Sequence, residues 1–223
     1  MTTYGQFCPV AKAMEVLDER WTLLVVRELL AGSTRFNELR RGVPKMSPAL
    51  LAKRLRSLER AGVVRRYEAE GHPGYRLTPA GEELRPLVEG LGIWGARWVG
   101  GLGEADLDPH LLMWDMRRTV PVDAWPRERT VVAFRLDGVP APVAHWWLVV
   151  RDGEVDVCDY DPGFEATVTV SAALRTLVRV WRGDLSWQVA LRGEVVSLDG
   201  TAEARRELPA WLGQSALAAV PRP

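Results

Sequence analysis

The chain has 223 residues, and at about 150 residues per domain two domains are the better expectation. Apolar residues make up 47% and charged residues 26% of the chain, which excludes disordered, collagen-like and disulfide-dense proteins. The longest stretch without a charged residue, 208–221, is shorter than the roughly 20 residues of a membrane helix, so we expect no membrane span. We also expect no signal peptide, and the two distant cysteines, Cys8 and Cys158, favour the cytoplasm.

Charge is distributed unevenly along the chain. Residues 1–100 carry 16 Lys and Arg against 11 Asp and Glu, a net charge of +5, whereas residues 101–223 carry 13 against 18, a net charge of −5. Residues 35–66 alone hold ten Lys and Arg, which would attract a polyanion such as nucleic acid, although a solvated helical face explains them equally well. Because glycines cluster where the charge changes sign, we predict domains at 1–102 and 103–223.

Helical patterns begin the chain. Pro9 suits a first helical turn, and a second amphipathic run begins at Trp21 and ends at Gly32. Residues 35–41 form a short third helix, and Ser47 caps a fourth, with Pro48 at its first position. This fourth helix has an apolar stripe of Leu51, Leu55 and Leu58, with Ala49, Lys53, Arg56 and Arg60 on the opposite face and Arg54 on its flank.

A basic hairpin follows the fourth helix. Residues 63–67 and 75–77 flank a turn that contains Gly71 and Pro73, and a further helix begins at Thr78 and continues to Trp98 with a kink at Pro86. Two helices, a tight turn and a basic hairpin form the layout of a winged helix-turn-helix. The major groove of DNA is about 12 Å wide and accepts one helix.

Several short motifs occur in the order that is typical of one family. They are Cys8-Pro9-Val10, Arg20-Trp21-Thr22-Leu23-Leu24, Arg35-Phe36-Asn37-Glu38-Leu39, the 47–62 helix, Tyr75-Arg76-Leu77-Thr78-Pro79-Ala80-Gly81 and Trp94-Gly95. Residues 5–100 thereby resemble the HxlR-type regulators, relatives of the MarR-like winged-helix proteins. The resemblance implies a homodimeric transcriptional regulator, not an enzyme, that binds double-stranded DNA at a roughly palindromic operator and uses no cofactor.

The resemblance also implies residue roles. Lys53, with the small residues Ser47 and Ala49, would face the major groove, and the DNA backbone would be contacted by Arg35, Lys45, Arg54 and Arg56. The hairpin would contribute Arg65, Arg66, His72 and Arg76. The first and last helices, residues 7–17 and 84–98, would form the dimer interface through Phe7, Val10, Met14, Leu84, Leu91, Trp94 and Trp98.

Cys8 has two interpretations. It stands where some HxlR-type proteins place a redox-sensing cysteine, and a position just before a helix lowers a thiol pKa. The alternative, which we favour, is a small apolar residue at the dimer seam.

The second half has an α+β pattern with helices packed on one mainly antiparallel sheet. We predict helices at 107–116, 172–181 (capped by Ser171) and 201–212, and strands at 130–136, 146–151, 154–158, 166–170 and 195–200. The runs Phe134-Arg135-Leu136-Asp137-Gly138, Thr167-Val168-Thr169-Val170-Ser171, Trp181-Arg182-Gly183-Asp184-Leu185-Ser186 and Leu191-Arg192-Gly193-Glu194-Val195 resemble a sterol carrier protein-like domain. Such a domain typically encloses an apolar tunnel that takes a small hydrophobic ligand, for which Trp114, Trp146 and Trp181 are candidate lining residues, although tryptophans are more often core.

No catalytic or metal-binding set emerges. The three histidines are isolated, and the acidic residues between Asp156 and Glu165 surround a Pro-Gly turn that indicates a solvated loop. We therefore expect a DNA-binding regulator, controlled by an apolar ligand in its second domain. The alternatives are a thiol-based redox regulator acting through Cys8, and a lipid- or ligand-binding protein that does not bind DNA.

Overall fold

Proline stands in the first turn of two of the first four helices, and serine caps one of them, as their chemistry predicts. A computed structural model describes residues 3–69 and 72–222, without the side chains of Ala69 and His72. Its first four helices are α1 (Pro9–Leu17), α2 (Thr22–Leu30), α3 (Phe36–Gly42) and α4 (Pro48–Arg60). Pro9 and Pro48 occupy the first turns of their helices, and Ser47 Oγ accepts the Leu50 N–H at 3.3 Å. The predicted serine cap is confirmed.

The hairpin and the two helices after it are joined by close contacts. Strands β1 (Val64–Ala69) and β2 (His72–Leu77) pair antiparallel, and α5 (Pro79–Glu82) and α6 (Arg85–Trp98) follow. The Thr78 hydroxyl donates to the Gly62 carbonyl at 2.5 Å and accepts the Gly81 N–H at 3.3 Å. A Cβ on Gly81 would overlap the Val63 carbonyl oxygen, so glycine is required for this close approach.

One helix was expected where the structure has two. The chain leaves the helix at Glu83 and Leu84 and re-enters it at Arg85. Pro86 has no N–H to donate to the preceding turn, and its ring clashes with the carbonyl four residues earlier, which favours a break in the helix before that position. The anticipated kink is therefore a break between α5 and α6.

Contacts divide the chain into two units, Met1–Trp94 and Gly95–Pro223. The core of the first is formed by α2, α3, α4 and the hairpin. It includes Val25, Val26, Leu39, Leu51, Leu55, Leu58 and Leu77, all of them buried.

The second unit is a five-stranded sheet with helices. Its helices are α7 (Pro109–Thr119), α8 (Leu174–Trp181), α9 (Trp187–Arg192) and α10 (Ala202–Leu212). Its strands are β3 (Thr130–Asp137), β4 (His145–Arg151), β5 (Glu154–Cys158), β6 (Val168–Ala173) and β7 (Val196–Gly200), in the order β5-β4-β3-β6-β7. Only the β3–β6 pair within this sheet is parallel, so the predicted α+β class with a mainly antiparallel sheet is confirmed.

Two local predictions in this unit were wrong or incomplete. Ser171 does not cap a helix, because it lies within β6 opposite Ser197 of β7, and Ala173 precedes α8 instead. Helix α9 was not predicted, and its N-terminus is capped by Ser186, whose Oγ accepts the Val189 N–H at 3.2 Å. The Thr201 cap of α10 is confirmed, since its hydroxyl accepts the Ala204 N–H at 3.1 Å.

Candidate nucleic-acid interface

Helix α4 presents one basic stripe to solvent. Ala49, Lys53, Arg56 and Arg60 are all exposed, and their spacing of four, three and four residues puts them on a single face. Leu51, Leu55 and Leu58 are buried on the opposite face. The predicted division of this helix is confirmed, and Ser47, which precedes it, is exposed as well.

Arg54 is placed differently from the prediction. Its residue surface is 8% exposed, its Nε donates to the Arg20 carbonyl at 3.1 Å, and its guanidinium forms an ion pair with Glu19. Position 54 lies three residues after Leu51 and four before Leu58, which is the buried side of the helix. The expectation that Arg54 reaches a phosphate was wrong, because its charge is already occupied inside the protein.

The hairpin carries arginines in an arrangement that favours an anion. Arg65 and Arg76 are exposed cross-strand partners, and like charges directly opposite each other destabilise a sheet unless a counter-charge is near. The Arg76 guanidinium also lies 4.7 Å from the centroid of the Tyr67 ring. A Cβ at Gly74 would come within 2.8 Å of that ring, so the glycine makes room for the tyrosine.

The remaining predicted DNA-binding residues have mixed outcomes. Arg66, Arg35 and Lys45 are exposed, whereas the side chain of His72 lies outside the described residues. The hairpin is joined to the segment before α3 by a hydrogen bond from the Tyr75 N–H to the Thr34 carbonyl, at 2.7 Å. Sequence reasoning assigned no role to Arg40 and Arg41, which are exposed in the same unit and were visible only as members of the basic block. Arg60 was placed on the basic face of α4 but was given no role in DNA binding.

Helices α1 and α6 bury none of their own residues in the single chain. Phe7, just before α1, is 99% exposed, and the other exposed apolar residues on or beside these helices are Val10, Met14, Leu87, Leu91, Ile93, Trp94, Trp98 and Val99. Leu84 differs from the predicted set, because it is half-buried against the core of the first unit. Leu87, Ile93 and Val99 were not predicted; Leu87 precedes Leu91 by one helical turn, so its spacing could have indicated it, whereas Ile93 and Val99 lie off that stripe. We name the exposed apolar residues of α1 and α6 the helical apolar face.

Cys8 occupies the N-cap position of α1. Hydrogen bonds from the backbone N–H groups of Ala11 and Val10 stabilise its thiolate and lower its pKa below the ordinary value. The pKa of Cys158, in contrast, is raised by burial and by the neighbouring charge of Asp156. The pKa values of the two thiols are therefore shifted in opposite directions.

The three candidate ligand-lining tryptophans are buried. Trp114, Trp146 and Trp181 each expose about one twenty-fifth of their surface, and the Trp181 indole donates to Asp115 at 2.8 Å. The clefts found in the second unit have other walls. One of them, of about 350 Å³, is bordered by the apolar residues Leu107, Pro109, Val139, Pro140, Val143 and Leu174 together with the charged residues Glu104, Asp137 and Arg175. Trp146 and Trp181 belong to the core of the second unit, and a ligand-lining role for the three tryptophans stays a prediction.

Residues 3–69 and 72–222 contain no group of three His, Cys, Asp or Glu side chains arranged to hold a metal ion. No helix in this part of the chain has both the length and the apolar character needed to cross a bilayer.

Known proteins resemble the first unit. A family model described as HxlR-like helix-turn-helix matches residues 16–101. YvaP of Bacillus subtilis, an uncharacterized HTH-type transcriptional regulator, is 37% identical over 99 residues, which cover 43% of this chain and 92% of that protein. An uncharacterized HTH-type regulator of Synechocystis, sll1512, is 34% identical, with coverage of 43% and 73%. Among solved structures, the reduced form of the regulator YodB from B. subtilis is 28% identical, with coverage of 43% and 97% and a TM-score of 0.38.

Proposed function

Because this chain belongs to the HxlR-like helix-turn-helix family, we propose that it binds double-stranded DNA as a homodimer and regulates transcription. The observation that carries the proposal is the exposed stripe of Lys53, Arg56 and Arg60 on α4 beside the small Ala49. A helix with this face fits the major groove, where small residues permit close approach and cations meet bases and phosphates.

The hairpin extends this basic surface. Arg65 and Arg76 oppose each other across β1 and β2, and an intervening phosphate would relieve their repulsion. Arg35 and Lys45 stand at the start of α3 and just before α4, where they would contact the DNA backbone. The role is one of binding, without a chemical step, and the reducing cytoplasm is the compartment we assign to it.

The homodimer is supported by the helical apolar face. Two adjacent tryptophan-bearing turns of α6 and the exposed residues of α1 would remain in water if the chain were monomeric. Along α6, Leu87, Leu91, Trp94 and Trp98 recur every three or four residues, so they form one exposed apolar stripe of the kind that marks interaction sites in soluble proteins. A two-fold dimer would present two copies of α4 to a roughly palindromic operator, one for each half-site.

The salt dependence of binding tests the proposal. Fluorescence anisotropy with a random-sequence duplex should show affinity falling steeply with salt, because each neutralised phosphate contributes about 0.9 to the logarithmic slope. The double variant Lys53→Gln/Arg56→Gln should lower that slope by about two such contributions. A matched variant, Arg151→Gln/Arg206→Gln, removes two exposed arginines from the second unit and should leave the slope unchanged. Salt-independent or absent binding would favour a ligand-binding protein that does not contact DNA.

A second candidate function is redox sensing through Cys8. The observation that favours it is the lowered pKa of this thiol at the start of α1, a helix of the helical apolar face. Oxidation would put a polar group beside Val10 and disturb the dimer seam. If DNA release by peroxide is unchanged in a Cys8→Ser variant, this function is excluded.

Control by a small ligand is the third candidate. We propose that the second unit is sterol carrier-like, and that the cleft walled by Leu107, Val139, Val143 and Leu174 is where an apolar molecule would enter. A Val143→Asp variant should then abolish the stabilisation of the protein by a fatty acid without affecting DNA binding by the free protein. Equal thermal stabilisation of both proteins would exclude this cleft.

A further inference from the structure

Arg54 is a charged residue on the buried side of α4, between two core leucines. Its neighbours Leu51 and Leu55 are almost fully buried, whereas its own charge would favour water. A buried guanidinium is tolerated only where its donors find acceptors, and here both identified partners belong to one short segment.

That segment is the connector between α1 and α2, residues 18–21. The Arg20 carbonyl accepts from Arg54 Nε at 3.1 Å, and the Glu19 carboxylate forms the ion pair. Arg54 therefore joins α4 to a part of the chain 34 residues earlier in the sequence.

The connector has an unusual backbone conformation. Trp21 has a φ of +79°, which lies in the left-handed region. This conformation costs energy for any residue with a side chain, because its Cβ comes too close to the following carbonyl oxygen. Its ring packs against the core of the first unit, and the Arg20 guanidinium lies 5.3 Å from the ring centroid. Contacts of this kind hold a strained segment in one geometry.

The connector also sets the direction of α1. Asp18 ends α1, and the Tyr4 hydroxyl donates to its carboxylate at 2.5 Å. No residue of α1 is fully buried, although Val16 packs against the core of the first unit. The direction of α1 therefore depends on that contact, on the connector and on whatever covers its exposed apolar side.

From this arrangement we propose that Arg54 is a positioning residue that couples the seating of α1 to the orientation of the DNA-reading helix α4. The inference rests on the proposed DNA-binding function. A change at the α1 side of the dimer seam shifts residues 18–21, and the shift reaches α4 through the Arg54 guanidinium. Arg54 thus acts on DNA recognition without contacting DNA.

Glu19 provides a test that depends on the sign of an effect. It is 48% exposed and outside the basic stripe of α4. Simple electrostatics predicts that Glu19→Gln, which removes a negative charge, tightens binding to DNA. The coupling predicts the reverse for a specific site, because Arg54 loses its ionic partner and α4 loses its fixed orientation.

The experiment compares wild type with Glu19→Gln, Arg54→Gln, the double variant and Glu59→Gln, an exposed acid at the end of α4. Each is titrated on a duplex of about 30 base pairs selected from a random library by the wild type, long enough for two half-sites, and on a random duplex. Glu19→Gln and Arg54→Gln should each lower the ratio of specific to non-specific affinity by about tenfold, the loss of one charged hydrogen-bonded partner. The salt slope should stay at the wild-type value, because no phosphate contact is removed.

Non-additivity separates coupling from general destabilisation. The double variant should bind no more weakly than the weaker single variant, because both remove the same link. Glu59→Gln should bind as tightly as wild type or more tightly. Should Arg54→Gln fail to fold, the exposed Glu19→Gln still gives the sign.

The outcomes distinguish the inference from the function. Tighter specific binding by Glu19→Gln, or a lowered salt slope in Arg54→Gln, overturns the coupling while DNA binding stands. Absence of salt-dependent binding by the wild type overturns both.

Discussion

Truncating Trp94 should weaken self-association of the protein. Trp94 belongs to the helical apolar face and is 58% exposed in the single chain. Full burial of a large apolar side chain is worth ~1.5–3 kcal/mol, so covering this exposed part contributes about 1–2 kcal/mol per protomer. A two-fold interface counts the contribution twice, about 2–4 kcal/mol in all, which raises the dissociation constant of the Trp94→Ala dimer by about 30- to 700-fold.

Sedimentation velocity over a dilution series measures that constant directly. The matched control is Tyr160→Ala, which removes another exposed aromatic ring, 67% accessible, from a loop of the second unit. We expect the control to associate as the wild type does. If Trp94→Ala and wild type share one dissociation constant, or if the wild type is monomeric throughout, the helical apolar face is not a dimer interface.

Three further results follow from local contacts. Gly81→Ala should lower the free energy of unfolding of the first unit by about 1–3 kcal/mol in chemical denaturation, because the new Cβ overlaps the Val63 carbonyl. The control Gly90→Ala, with open space around the glycine, should leave that free energy equal or slightly higher. Equal losses in the two variants would contradict the packing argument. Arg76→Gln should lower the salt slope of DNA binding by about 0.9, and an unchanged slope would remove the hairpin from the interface. Cys8, with its lowered pKa, should be alkylated by iodoacetamide faster than Cys158 near neutral pH and should lose reactivity only at lower pH, as followed by mass spectrometry; a faster Cys158 would refute this order.

The periodic parts of the sequence predicted the structure best. The α4 stripe and the Ser47 cap followed from spacing and hydroxyl chemistry, and both are present. The strands of the second unit were located by alternation and turns, with small errors at their ends. These signals are local, so a single sequence carries them.

Arg54 shows where local reasoning ended. Its residue type indicated the surface, whereas its position between Leu51 and Leu58 indicated the interior. The outcome depended on Glu19 and the Arg20 carbonyl, partners that only the folded chain brings together. Ser171 is a similar case, because pairing with Ser197 extended the strand beyond the position where a serine would otherwise cap a helix.

Tryptophan content was the weakest guide to the site. Large aromatic rings serve packing and ligand binding equally well, and sequence does not distinguish the two. Trp146 and Trp181 became part of the core, whereas the walls of the cleft came from smaller aliphatic residues and prolines together with the charged residues Glu104, Asp137 and Arg175.

The parallel pairing of β3 with β6 has a consequence for folding order. Val132 of β3 pairs with Val168 of β6, which is synthesised 36 positions later. The other edge of β6 stays unpaired until β7, residues 196–200, has been synthesised. Such non-local pairing is slow compared with helix formation, so during synthesis the helical half matures while the sheet is still incomplete. In a nascent chain that ends before residue 196, β6 would be an exposed edge strand with unpaired backbone N–H and C=O groups, which promotes aggregation. Any fragment prepared for study should therefore retain the whole 130–200 stretch.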